Sequence, residues 1–180
     1  VFAAAVILPM DIDSKMCEGL VERLNDSKQL TAKQRYELRP LIEKYALAFA
    51  VAQVTPEEID QINILNASIL GMHRALDQLS VVPAHILVDG NKWKPYVPQN
   101  DCLEIPAQTI VKGDGKYLSI AAASILAKTY RDDYMMHLHD MYPNYHWDKN
   151  MGYPTKEHYH AILQFGITPY HRKTFKLIKE

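Results

Sequence analysis

Cysteine is scarce in this 180-residue chain, which contains only Cys17 and Cys102. The two lack the paired spacing of a metal cluster, and so few thiols exclude a disulfide-stapled scaffold; reduced thiols in the cytoplasm are expected. No apolar run approaches the ~20 residues that a bilayer-spanning helix needs, so no membrane association is expected. The apolar opening, Val1 to Leu8, has neither a basic start nor a small-residue cleavage site, and it does not read as a secretory signal. Excess charge of either sign is also missing, since the formal net charge is −1. A broadly basic surface is thereby excluded, and contact with a polyanion has to come from a local cluster of cations. The chain has no Walker loop, no dinucleotide fingerprint, no serine-nucleophile elbow, no internal repeat and no low-complexity segment.

What remains is an ordinary globular composition, 48% hydrophobic and 23% charged. A chain of this length suits one domain that buries roughly 70% of its unfolded surface. Val1 to Leu8 has the pattern of a strand buried on both faces, ended by Pro9. Thr31 is placed to cap a helix from Ala32 to Tyr45, and Ala46 to Val54 is a second apolar strand. Thr55-Pro56-Glu57-Glu58 combines a cap, a proline at the first helical position and two acids in the first turn. A short helix follows, then another from about Ile64 to Leu79. His85 to Gly90 and Gln108 to Asp114 are short strands, each ending near Gly and Asp, with a proline-rich loop between them. A long helix spans about Tyr117 to Met141, and a last one runs from Thr155 to Phe165 with Gly166 at its end. Strands alternating with helices indicate an α/β domain in which at least the last two strands are parallel.

The strongest chemical signal is a pair of carboxylates at strand ends, Asp89 and, 25 residues on, Asp114. Active sites of open α/β sheets gather at the carboxyl ends of strands, and neighbouring strands lie ~4.8 Å apart. Two acids so close repel unless a cation lies between them, and Mg²⁺ or Mn²⁺ prefers such oxygen ligands. An Asp beside Gly also initiates turns, so spacing alone leaves both alternatives open. Lys112, Lys116 and Lys128 bracket Asp114, putting phosphate-binding cations beside metal-binding acids. Asn25-Asp26-Ser27-Lys28 is either a phosphate-contacting loop or a helix cap. Tyr153, in the turn Gly152-Tyr153-Pro154-Thr155, either stacks on a sugar or base or packs internally. His137, His139, His158 and His160 are spaced two apart on helices and face different sides, which disfavours shared ligation. His171-Arg172-Lys173 either touches phosphate or is solvated.

Taken in order, these segments resemble bacterial ribonuclease HII. Asn25 to Leu30 is similar to that family's DSK-L loop, and Val88-Asp89-Gly90-Asn91 to its VDGN strand end. Ile110 to Asp114, followed by Ser119 to Lys128 and Arg131-Asp132, resembles its most distinctive block. Gly152 to His158 and Thr168 to Phe175 are similar to its closing segments. The resemblance implies an RNase H-like fold over residues 1–180: a mixed five-stranded sheet flanked by helices, with a helical C-terminal region from about residue 142. It implies a monomeric endonuclease with two divalent ions, Mn²⁺ or Mg²⁺, held by four carboxylates of which Asp89 and Asp114 are two. RNA–DNA hybrids, and duplex DNA containing ribonucleotides, are the implied substrates. Lys28, Ser27, Asn91, Lys112, Ser119 and Lys128 are implied contacts, and Tyr153 is implied to stack at the RNA–DNA junction.

One part of the family pattern has no counterpart. A glycine-rich stretch with adjacent Asp and Glu, then Gly-Arg-Gly, precedes the family's equivalent of Val1–Leu8 and supplies two metal ligands. Neither Glu57-Glu58, at a helix start, nor Asp132-Asp133, inside a long helix, fits that role. The expectation is a natural form that carries the acidic stretch upstream and a present chain that is impaired without it. The alternative is a non-catalytic binder of RNA–DNA hybrids.

Overall fold

The computed structural model describes residues 1–12, 19–24, 30–99 and 102–175. Four strands and six α-helices follow one another as β1 (Phe2–Ile7), α1 (Leu20–Arg23), α2 (Ala32–Tyr45), β2 (Ala48–Gln53), α3 (Pro56–Asp77), β3 (Ile86–Asp89), β4 (Ala107–Ile110), α4 (Leu118–Met141), α5 (Trp147–Asn150) and α6 (Lys156–Phe165). Three threonines set the helix starts as their sequence positions foretell. Thr31 and Thr55 close capping boxes with Gln34 and Glu58, and the Thr155 hydroxyl accepts from the His158 amide. Two helices are present where two are expected between residues 56 and 79. They run on through α3 across a break at Asn63 (φ 65), whose Oδ1 accepts from the Leu65 and Asn66 amides at 3.0 and 3.1 Å.

β1 and β2 pair antiparallel, with Phe2 opposite Gln53 and Ile7 opposite Ala48. β3 and β4 pair parallel, with Ile86 opposite Ala107 and Asp89 opposite Ile110. The mixed α/β order is therefore the expected one, but the sheet is smaller. Among the described residues the strands form two two-stranded sheets instead of one sheet of five. β1 pairs only with β2 and β3 only with β4, so each keeps one edge without a strand neighbour. Between those edges lies a groove of about 970 Å³, lined by Val1–Pro9 on one side and Ala84–Asp89 on the other.

β1 is covered on both faces, which explains its unbroken apolar sequence. Ala4, Val6 and Leu8 pack with Phe49 and Val51 against a core of Leu38, Ile42, Ala121, Ala122, Ile125 and Leu126 from α2 and α4. On the other face α3 comes so close at Gly71 that an added Cβ would stand 3.2 Å from the Ala3 Cβ. Ile125 and Leu126 are fully buried, and truncating such a side chain typically costs ~2–5 kcal/mol. α2 is clamped to α4 by the Tyr36 hydroxyl, which donates to Asp133 at 2.6 Å, and by Arg39, which lies 3.7 Å over the Tyr130 ring.

The C-terminal region has its own core of Met135, Leu138, Tyr145, Trp147, Ala161 and Ile162. Two histidines complete it. His158, expected only to be no ligand, is buried, and so is His171 at the head of what could have been a solvated tail. Their rings stack at 5.3 Å, and the His171 Nδ1 meets the Thr168 amide at 3.0 Å and its hydroxyl at 2.9 Å. Beyond them, Asp60 on α3 accepts from the Lys173 amide, the Thr174 amide and the Thr174 hydroxyl.

Burial, then the neighbouring His158, hold His171 down to about 4, and burial lowers His158 as well. Both are therefore neutral in the fold at pH 7, whereas in the unfolded chain they take up protons near 6.5. The unfolded state binds more protons below that value, so stability is lost as pH falls from about 6.5 towards 4. Denaturation of a Trp93→Phe variant, followed by Trp147 fluorescence, should show a lower midpoint at pH 5 than at pH 7. Equal midpoints would show that the histidine pair does not govern this region.

Candidate active site

β3 delivers Asp89 to its carboxyl end, where the chain leaves the sheet through Gly90 (φ 110). β4 ends at Ile110, earlier than expected, because Lys112 adopts a left-handed conformation (φ 55) and Gly113–Gly115 form one 3-10 turn. This turn lowers Asp114 into the interior. The two carboxylates consequently differ: Asp89 is exposed, and Asp114 is 3% exposed. They are joined through one backbone group, since the Asp89 Oδ1 accepts from the Gly113 amide at 2.9 Å. The strand-end acid thus rests on the amide of the residue immediately before the buried acid.

Gly113 is required by space and not by its dihedral angles. A Cβ there would stand 2.6 Å from the Ile120 Cδ1 and 3.4 Å from the Asp89 Oδ1. α4 begins just beyond, and its Ile120 is part of the wall that fixes the turn. The cations sit around this point. Lys112 is exposed, and the Lys116 Nζ donates to the Val111 carbonyl at 3.0 Å. Ser119, half-buried in the first turn of α4, lines the same groove as Asp89. Asn91 is exposed immediately after the strand, and Lys128 is half-buried farther along α4. Lys28 and Ser27 lie outside the described residues.

Tyr153 occupies a second locus. It is 65% exposed, in the turn between α5 and α6, so it does not belong to the core. The Arg131 guanidinium lies over its ring, 5.3 Å from the centroid. Arg131 was visible in the sequence only as part of the Arg131-Asp132 match; no local pattern could pair it with a tyrosine more than twenty positions on.

The donor set suits a hard divalent cation. Asp89 and Asp114 offer only oxygen, one acid faces solvent, and the other is sequestered where an unneutralised charge is costly. No third His, Cys, Asp or Glu joins them into a closed cluster among the described residues. Gly113→Ala should push Ile120 and the Asp89 support apart and cost about 1–3 kcal/mol of stability. Chemical denaturation measures this directly, and an unchanged midpoint would mean that the turn is not sterically locked.

Comparison with known proteins places the chain among its relatives. The profile of the family described as Ribonuclease HII matches residues 1–178. The chain is 63% identical to a ribonuclease HII of Bacteroides thetaiotaomicron over 178 residues, covering 99% of this chain and 82% of that protein. It is also 63% identical to one of Parabacteroides distasonis, covering 100% and 84% respectively. Among solved structures, the ribonuclease H2 of Pyrococcus horikoshii superposes with a TM-score of 0.72 at 26% identity, covering 98% of this chain and 95% of that one. A Bst-RNase HIII solved with Mn²⁺ shares the fold, with a TM-score of 0.65 at 16% identity and coverage of 92% and 60%. With its ordered motifs, its paired strand-end acids and a profile match along almost its whole length, the chain belongs to the ribonuclease HII family.

Proposed function

We propose that this protein is an endonuclease that hydrolyses the RNA strand of RNA–DNA hybrids and nicks duplex DNA on the 5′ side of a single ribonucleotide. The observation that carries the proposal is the hydrogen bond from Gly113 to Asp89, which ties an exposed carboxylate to the turn holding a buried one. Asp89 and Asp114 would hold divalent metal, Mg²⁺ or Mn²⁺. When bound, two such ions supply charge to activate water and to stabilise the departing oxygen. Water adds to phosphorus, the P–O3′ bond breaks, and the 3′-oxygen takes a proton, leaving a 3′-hydroxyl and a 5′-phosphate. Lys112, Ser119, Lys128, Asn91, Ser27 and Lys28 would hold the backbone, and Tyr153 would stack at the junction where the 2′-hydroxyl distinguishes RNA from DNA.

The remaining ligands would come from an upstream strand with an adjacent Asp and Glu, seated between β1 and β3. Two observations support this position. Each facing edge lacks a strand neighbour among the described residues, and Asp89 is among the residues that line the groove between them. Such a strand would also unite the two sheets into one of five.

The test is a labelled DNA duplex with one ribonucleotide, incubated with Mg²⁺ or Mn²⁺. This chain is compared with a form that carries the family's upstream acidic segment. The extended form should cut 5′ of the ribonucleotide, and this chain should cut slowly or not at all. Retention of the duplex by both without cutting would favour a hybrid-binding protein instead. In the extended form, Asp89→Asn keeps the oxygen that accepts from Gly113 but loses the charge. Cleavage should fall at least 100-fold with little change in thermal midpoint, and full activity would remove Asp89 from the site.

A further inference from the structure

We propose that Arg131 is a positioning residue that fixes the direction of the Tyr153 ring. The turn that carries Tyr153 is costly to form. Met151 (φ 47) and Gly152 (φ 73) are consecutive left-handed residues, a conformation that a side chain such as methionine's disfavours. Two side chains offset the cost. Asn150, buried, donates from its amide to the Tyr145 carbonyl at 2.8 Å and accepts the Gly152 amide at 2.8 Å. These bonds fix where the turn starts but leave the tyrosine ring unconstrained.

Arg131 acts on the ring as well as on the backbone. Its guanidinium donates to the carbonyl of the left-handed Met151 and lies over the Tyr153 ring, with Cζ 5.3 Å from the centroid. One turn along α4, Met135 supplies the floor: a Cβ on Gly152 would lie 3.2 Å from the Met135 Cε and 3.8 Å from the Arg131 Nη2. Asp132 holds the other side of the guanidinium at 3.4 Å. A planar cation anchored on two sides leaves one face for the ring, so an exposed tyrosine is orientated without being buried. Lysine, a compact point charge, cannot make the carbonyl bond and the ring contact together with the same rigidity.

The functional arm of this inference rests on the proposed stacking role of Tyr153; the structural arm does not. The experiment uses this chain labelled with 3-fluorotyrosine, in which the Tyr153 resonance is identified by its loss in Tyr153→Phe. Arg131→Met should move or broaden that resonance and leave most others in place, and Arg131→Lys should give an intermediate result. In binding assays, Arg131→Met should lower the preference for ribonucleotide-containing over all-DNA duplex by about two- to tenfold. In a Tyr153→Ala background it should lower it no further. An unmoved fluorine resonance, or fully additive losses in the double variant, would overturn the inference. If Tyr153→Ala alone leaves the preference unchanged, the stacking role fails and the fluorine resonance alone decides the part played by Arg131. If Arg131→Met does not fold, Arg131→Lys carries the same comparison.

Discussion

The packing of α4 against β1 is the constraint on which the rest of the molecule depends. Ala121 and Ala122 are small enough for the helix to approach the strand closely, and Ile125 and Leu126 fill the space behind them. The helix is thereby a fixed rod of 24 residues. Its first turn supplies Ile120, which locks Gly113 and with it the Asp114 turn. Its middle supplies Arg131 beneath Tyr153, and its last part supplies Met135 and Leu138 to the C-terminal core. Both candidate loci are attached to one element whose position is set by apolar burial and not by polar contacts of their own.

The two acids illustrate how one site can assign different environments to the same residue type. Asp89 ends a strand and faces solvent, while Asp114 is drawn inside by a left-handed Lys112 and a 3-10 turn. An exposed carboxylate can exchange ligands readily, whereas a buried one keeps its place and is costly to leave uncompensated. The Gly113 amide links their positions through a single hydrogen bond.

Much of this architecture was legible in the chain. Thr31, Thr55 and Thr155 announce their helices because capping is local chemistry, and the break at Asn63 follows from the pause in the pattern before Ile64. Asp89 and Asp114 could be singled out because strand ends are recognisable from short apolar runs. The burial of Asp114 could not, since it depends on Ile120 and on a positive φ at a lysine, for which no residue preference speaks. His158 and His171 gave no sign of their stacking, because their partners, Tyr145, Trp147 and each other, come together only in the tertiary fold. The union of the strands into one sheet, expected from family resemblance, is not realised among the described residues, where β1 and β3 face each other across a groove.

The clasp of Asp60 on the Lys173 and Thr174 amides spans 113 and 114 positions of the chain. A contact of such long range contributes nothing until the intervening chain is organised, and its loop-closure entropy is met late. During synthesis from the amino end, β1, β2 and α3 leave the ribosome well before the residues that secure them. Until α4 arrives, β1 lacks the cover on one of its faces, and until residues 173–174 arrive, Asp60 lacks these three donors. The amino-terminal strands and α3 are therefore finished by contacts from the far end of the fold, not by their own neighbours in sequence.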